Sequence, residues 1–64
     1  MLLKFRDEPI INLDSVCYIE IGSAQITFHF VDGFAKTWNF DLPEEVKVIE
    51  SKIMREYGKV IELS

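Results

Sequence analysis

Residues 16–41 read VCYIEIGSAQITFHFVDGFAKTWNFD, and the alternation of apolar residues through this stretch decides the fold. Residues 16–21 alternate Cys17, Ile19 and Ile21 against Val16, Tyr18 and Glu20, and residues 24–31 alternate Ala24, Ile26, Phe28 and Phe30 against Gln25, Thr27, His29 and Val31. Strict alternation is the mark of a strand with one buried face. Gly22-Ser23 reads as a two-residue loop with glycine leading a type II′ turn, which sets Ile21 opposite Ala24, Ile19 opposite Ile26 and Cys17 opposite Phe28. Directly opposed residues share a face, so the two apolar sets coincide. Residues 34–41 continue with Phe34, Lys36, Trp38 and Phe40 on one side and Ala35, Thr37, Asn39 and Asp41 on the other. A two-residue Asp32-Gly33 turn would throw the aromatic rows onto opposite faces, because a one-residue slip inverts a strand. A three-residue Val31-Asp32-Gly33 loop keeps Phe28, Phe30, Trp38 and Phe40 together, with Gly33 left-handed in a type I turn plus G1 bulge.

Outward from this meander, Leu42, Val46, Ile49, Ile53 and Tyr57 recur at spacings of three and four, the stripe of an amphipathic helix over about 42–57. Asp41 reads as its N-cap with Glu44 three residues on, Pro43 falls in the first turn, and Gly58 reads as its stop, with Arg55 and Lys59 near the negative end of the dipole. Residues 60–63 read as a short final strand or as an arm reaching a neighbour. Towards the N-terminus, residues 2–6 and 10–13 read as strands around an Asp7-Glu8-Pro9 turn, and Asp14-Ser15 bends the chain into the meander. The expected fold is α+β: a single antiparallel sheet of four to five strands, packed on one face by one C-terminal helix.

The chain has 64 residues, one domain over 1–64. A chain this short buries only about 60% of its unfolded surface, so small domains usually lean on disulfides, a metal or a partner. One cysteine and one histidine give neither an intramolecular disulfide nor a zinc knot, which leaves a well-packed core or self-association. The net charge of −4 opposes a grip on phosphate backbones and on anionic membranes. No signal-peptide pattern opens the sequence and no run approaches membrane-spanning length, so a reduced cytoplasm is the expected compartment.

The chemistry-bearing residues are few. His29 is the one side chain suited to proton transfer near neutral pH, but the register puts Val16 and Ala35 beside it and no nucleophile or carboxylate. Cys17 falls among Ile19, Phe28 and the helix stripe, where a thiol stays protonated and inert. Glu44, Glu45, Glu50, Glu56 and Glu62 spread along the helix and tail instead of converging in a cleft. The aromatic row resembles a base-stacking platform in composition, yet the helix stripe needs that same surface. No catalytic, cofactor or metal site is expected, and phosphate-loop, dinucleotide and metal-helix motifs are absent from the sequence.

Residues 10–33 (IINLDSVCYIEIGSAQITFHFVDG) resemble the strand–bend–strand–hairpin of LytTR-type response-regulator domains and of small PH-like domains, over roughly a third of the chain. The basic residues that LytTR domains use on DNA have no counterpart here, and the remaining strands of a PH barrel do not fit. The resemblance implies a way of building a hairpin and carries over no functional residue.

The second sheet face is more informative. Val16, Tyr18, Thr27, His29, Val31, Ala35 and Thr37 are β-formers with few charges, whereas a solvent-facing sheet normally carries Lys, Glu and Arg. The expectation is a non-enzymatic interaction module that self-associates as a dimer, or binds another protein, through this face or a sheet edge. A single-stranded nucleic-acid binder using Tyr18 and His29 is the alternative, disfavoured by charge.

Overall fold

The computed structural model describes residues 1–57, together with the side chains of 1–56. The expectations for Gly58, for the side chain of Tyr57 and for a strand or arm at 60–63 lie outside the described residues. The elements run β1 (Leu2–Leu3), β2 (Ile11–Asn12), a 3₁₀ turn (Leu13–Ser15), β3 (Val16–Ile21), β4 (Gln25–Phe30), β5 (Ala35–Asn39) and α1 (Pro43–Tyr57). The α+β class and the three-stranded meander stand as expected. The single four- to five-stranded sheet does not: β1 and β2 form a separate two-stranded sheet beside β3-β4-β5. The N-terminal segment meets β5 through side chains. Glu8 Oε1 accepts the amide of Asn39 at 3.2 Å, and the Pro9 carbonyl accepts the indole N–H of Trp38 at 2.7 Å. An amide satisfied in this way has nothing left to offer a further strand.

The β4–β5 connection is the three-residue loop read from parity. Ile26 opposes Trp38, Phe28 opposes Lys36, and the amides of Phe30 and Gly33 bond Phe34 and Phe30 carbonyls at 2.8 and 3.0 Å. Gly33 carries φ +95°, the left-handed position of the bulge. Phe28 and Trp38 therefore share a face, with ring centroids 4.9 Å apart in an edge-to-face pair.

The β3–β4 turn differs. Ile21 opposes Ile26 and Ile19 opposes Phe28, so the two-residue loop is Ser23-Ala24, one position later than expected. Moving the centre by one residue shifts the register by two, which preserves the faces. Gly22 stands before the turn, without positive φ, and its N–H bonds the Gln25 carbonyl at 2.8 Å. A Cβ there would meet Gln25 Cγ at 3.0 Å, so close approach of the strands, not a left-handed turn, favours glycine at this position.

A bulge between Val16 and Tyr18 corrects a second expectation. Val16 opposes Phe30 and Tyr18 opposes His29, leaving Cys17 as the extra residue. Val16 thereby turns in to pack on the core, and Cys17, expected inside, is exposed.

The core comprises Ile11, Leu13, Ile26, Phe28, Trp38, Phe40 and Val46, flanked by Leu3, Phe5, Val16, Ile19, Phe30, Ile49 and Ile53. Leu3, Phe5, Ile11 and Leu13 thus join the helix side of the meander. Phe34, on the Trp38 side of residues 34–41 by alternation, is 70% exposed at the loop end. The helix start also differs. Leu42 is the N-cap; its N–H is accepted by Glu45 Oε1 at 3.2 Å, half of a capping box, with Pro43 at the first helical position. Asp41, expected as the cap, instead faces Arg6 at 3.6 Å, and Arg6 also pairs with Glu45.

Two tests follow from these turns. Gly33→Ala should cost about 1–2 kcal/mol in urea unfolding, the price of a Cβ in left-handed backbone. Because a Cβ on Gly33 would meet nothing within 4 Å, the loss should come from the backbone alone, and Gly33→Asn should lose less. The Cys17 thiol should react with Ellman's reagent in the native protein nearly as fast as in the unfolded chain. Protection by orders of magnitude would return Cys17 to the core.

Candidate functional site

On the face turned away from the helix, two rows cross all three strands of the meander, and Gln25 and Asn39 stand opposed beyond them. Tyr18, His29 and Ala35 are directly opposed across the sheet, and so are Glu20, Thr27 and Thr37. The β3 register places Tyr18 beside His29 with ring centroids 4.1 Å apart and planes at 7°, a parallel stack. His29 Nε2 lies 2.5 Å from Glu20 Oε1 on the diagonal of the same pair of strands. Thr27 and Thr37 join hydroxyl to hydroxyl at 3.0 Å. Each polar side chain in the middle of these rows thus has its partner within the sheet.

Of the seven residues expected on this face, Tyr18, Thr27, His29, Ala35 and Thr37 are there. Val16 is not, because the bulge turns it inward, and Val31 lies in the β4–β5 loop, 74% exposed, just past the end of β4. The expected neighbours of His29 are corrected in the same way: Tyr18 replaces Val16, and a carboxylate does stand beside the ring. Glu20 was legible as a member of this face from alternation alone. Its contact with His29 depended on the register, and the register depended on the turn centre.

Chemically, His29 and Glu20 form a histidine–carboxylate pair on an open sheet surface, and Tyr18 stacked on the imidazole fixes the ring plane. An orienting carboxylate is one part of a nucleophile-activating arrangement. The nearby hydroxyls of Thr27 and Thr37 are engaged with each other. Among the described residues, no three of His, Cys, Asp and Glu come together in a group able to hold a metal ion. No helix among them is long and apolar enough to cross a membrane.

A concavity lies on the other side of the meander. Leu3, Trp38, Ile49 and Ile53 floor a groove of about 380 Å³ between the N-terminal strand and the second half of α1. No sequence signal marked it, since the stripe residues Ile49 and Ile53 read simply as core.

No protein-family model, curated protein or solved structure matches the chain. The outer rows and the groove are therefore read on their own chemistry.

The threonine pair gives a stability test. Thr27→Val leaves the half-buried Thr37 hydroxyl without its partner and should cost about 0.5–1 kcal/mol. The double variant Thr27→Val/Thr37→Val should recover that loss, because neither hydroxyl is then stranded. A double-mutant cycle by urea unfolding reads the coupling, and strictly additive single losses would mean that the two hydroxyls are independently solvated.

Proposed function

We propose that this protein is a non-enzymatic interaction module that associates with a second copy of itself through the outer face of the meander. The observation that carries the reading is the pair of rows Tyr18–His29–Ala35 and Glu20–Thr27–Thr37, where the one carboxylate is engaged with His29 and the threonine hydroxyls with each other. With His29, Glu20, Thr27 and Thr37 each already holding a partner, burial of these rows strands fewer donors and acceptors than a sheet face of unpaired polar groups would. Burial there also suits a 64-residue chain whose own core is small. Two identical sheets meeting about a twofold axis would form a self-complementary interface. Its centre would be Tyr18, an aromatic side chain of the kind enriched in interface cores.

The Tyr18–His29 stack also favours a second reading, single-stranded nucleic acid held by stacking. Against it stand Glu20 beside the stack and the net charge of −4. A fluorescent oligonucleotide titrated at low salt, where phosphate contacts are strongest, separates the two. Saturable binding there would replace the first reading with the second.

Molar mass by light scattering across a dilution series tests self-association. A dimer is expected, and Tyr18→Glu, which sets a second carboxylate near Glu20, should raise its dissociation constant at least about tenfold, a loss of about 1.4 kcal/mol. A monomer at every concentration, or a dimer indifferent to Tyr18→Glu and Thr27→Lys, would defeat the proposal for this face.

A further inference from the structure

The geometry points to a second binding site, the groove beside α1, built to take a single-chain amphiphile with an anionic head group, such as a medium-length alkyl carboxylate. Among the described residues, the helix stripe outruns its cover. Val46 is 2% exposed under the first half of α1, whereas Ile49 and Ile53, one and two turns further on, are only half-buried. Leu3 of β1 forms the facing wall, and the groove reaches down to Trp38. Its volume of about 380 Å³ lies within the roughly 300–1,000 Å³ of small-ligand pockets.

The rim supplies the charge argument. Lys4, Lys52 and Arg55 border the groove, joined by a single carboxylate, Glu56. Three of the chain's seven basic residues thus gather around one apolar concavity in a protein of net charge −4. Arg6, by contrast, is taken up by Asp41 and Glu45, while the three rim cations make no ion pair among the described residues. Lys and Arg can lay their aliphatic stems along an apolar surface with the charged head at its edge. An apolar floor with a cationic edge selects a ligand that is apolar along its length and anionic at one end. The same arrangement discriminates against a cationic amphiphile, whose head would meet the rim unfavourably. This site lies on the helix side of the meander and does not rest on the self-association of the outer face.

Trp38 is the single tryptophan, so intrinsic fluorescence reports from the end of the groove. The full chain is titrated with octanoate, decanoate and dodecanoate below their micelle concentrations, and with dodecyltrimethylammonium as the cationic control. Saturable binding is expected, tightening about fourfold for each added methylene, the burial of one CH₂. Lys52→Glu/Arg55→Glu, at two exposed positions, should weaken dodecanoate binding about tenfold or more while circular dichroism stays native. Trp38 signals that do not saturate, equal affinity for the cationic amphiphile, or an unchanged dodecanoate affinity in the double variant would each overturn the assignment.

Discussion

Everything on the helix side of this protein converges on the indole of Trp38. Its N–H is held at 2.7 Å by the Pro9 carbonyl, its ring packs edge-on against Phe28, and Phe5 stacks over it with centroids 5.7 Å apart. At 1% exposure the indole is removed from water, so the Pro9 carbonyl relieves a donor that would otherwise be buried and unpaired. That one bond fixes where the N-terminal segment lies. It also explains how a chain can carry two separate small sheets on one core. The sheets are joined by the packing of Phe5, Ile11 and Leu13 against Trp38 and its neighbours, where a continuous ladder would otherwise be needed. A two-stranded ribbon as short as β1–β2 has little stability of its own. It is ordered by what it covers.

A polar tie at the start of the helix works to the same end. Arg6 reaches both Asp41 and Glu45, while Glu45 also closes onto the Leu42 N–H. These groups are partly exposed, and such pairs add modest energy. What they supply is direction. They set α1 and the N-terminal turn on the same side of the meander, and Arg6 takes up φ +48°, uncommon for a residue with a side chain. With helix and N-terminal segment both committed to one face, the other face of the meander is left uncovered by the described residues.

Much of this was legible in the residues. Alternation gave three strands, and parity gave the bulged Val31-Asp32-Gly33 loop over a two-residue turn, because a loop of even length would have split Phe28 from Trp38. The stripe Val46, Ile49, Ile53 gave the helix. The losses have physical reasons. The bulge at Cys17 is announced by no glycine or proline, and the alternation of residues 16–21 reads unbroken across it. The β3–β4 turn slid by one residue without changing which residues face the core, so hydrophobic pattern had no power to locate it. Yet that slide decides whether Tyr18 or Val16 lies against His29. Alternation assigns faces, whereas a site needs register. Pairing of the N-terminal segment was beyond alternation as well, since its anchor is a carbonyl of Pro9, a backbone atom that carries no sequence signature.

The two candidate surfaces differ in the state of their polar groups, and that difference carries the functional argument. On the outer face, Thr27 and Thr37 bond one another and His29 has Glu20, so the middle of the face asks less of water than unpaired side chains would when another surface covers it. At the groove the reverse holds. The floor is apolar and already belongs to the core, while the charges stand at the rim, where solvent keeps them hydrated until an anion arrives. A surface of the first kind suits a broad, flat partner whose contact is mainly shape and area. A surface of the second kind suits a narrow ligand that brings its own countercharge. Neither demands the other, because the sheet stands between them and Trp38 points only towards the groove side. The proposed association face and the proposed ligand groove therefore make separate demands on a 64-residue chain, with the core between them.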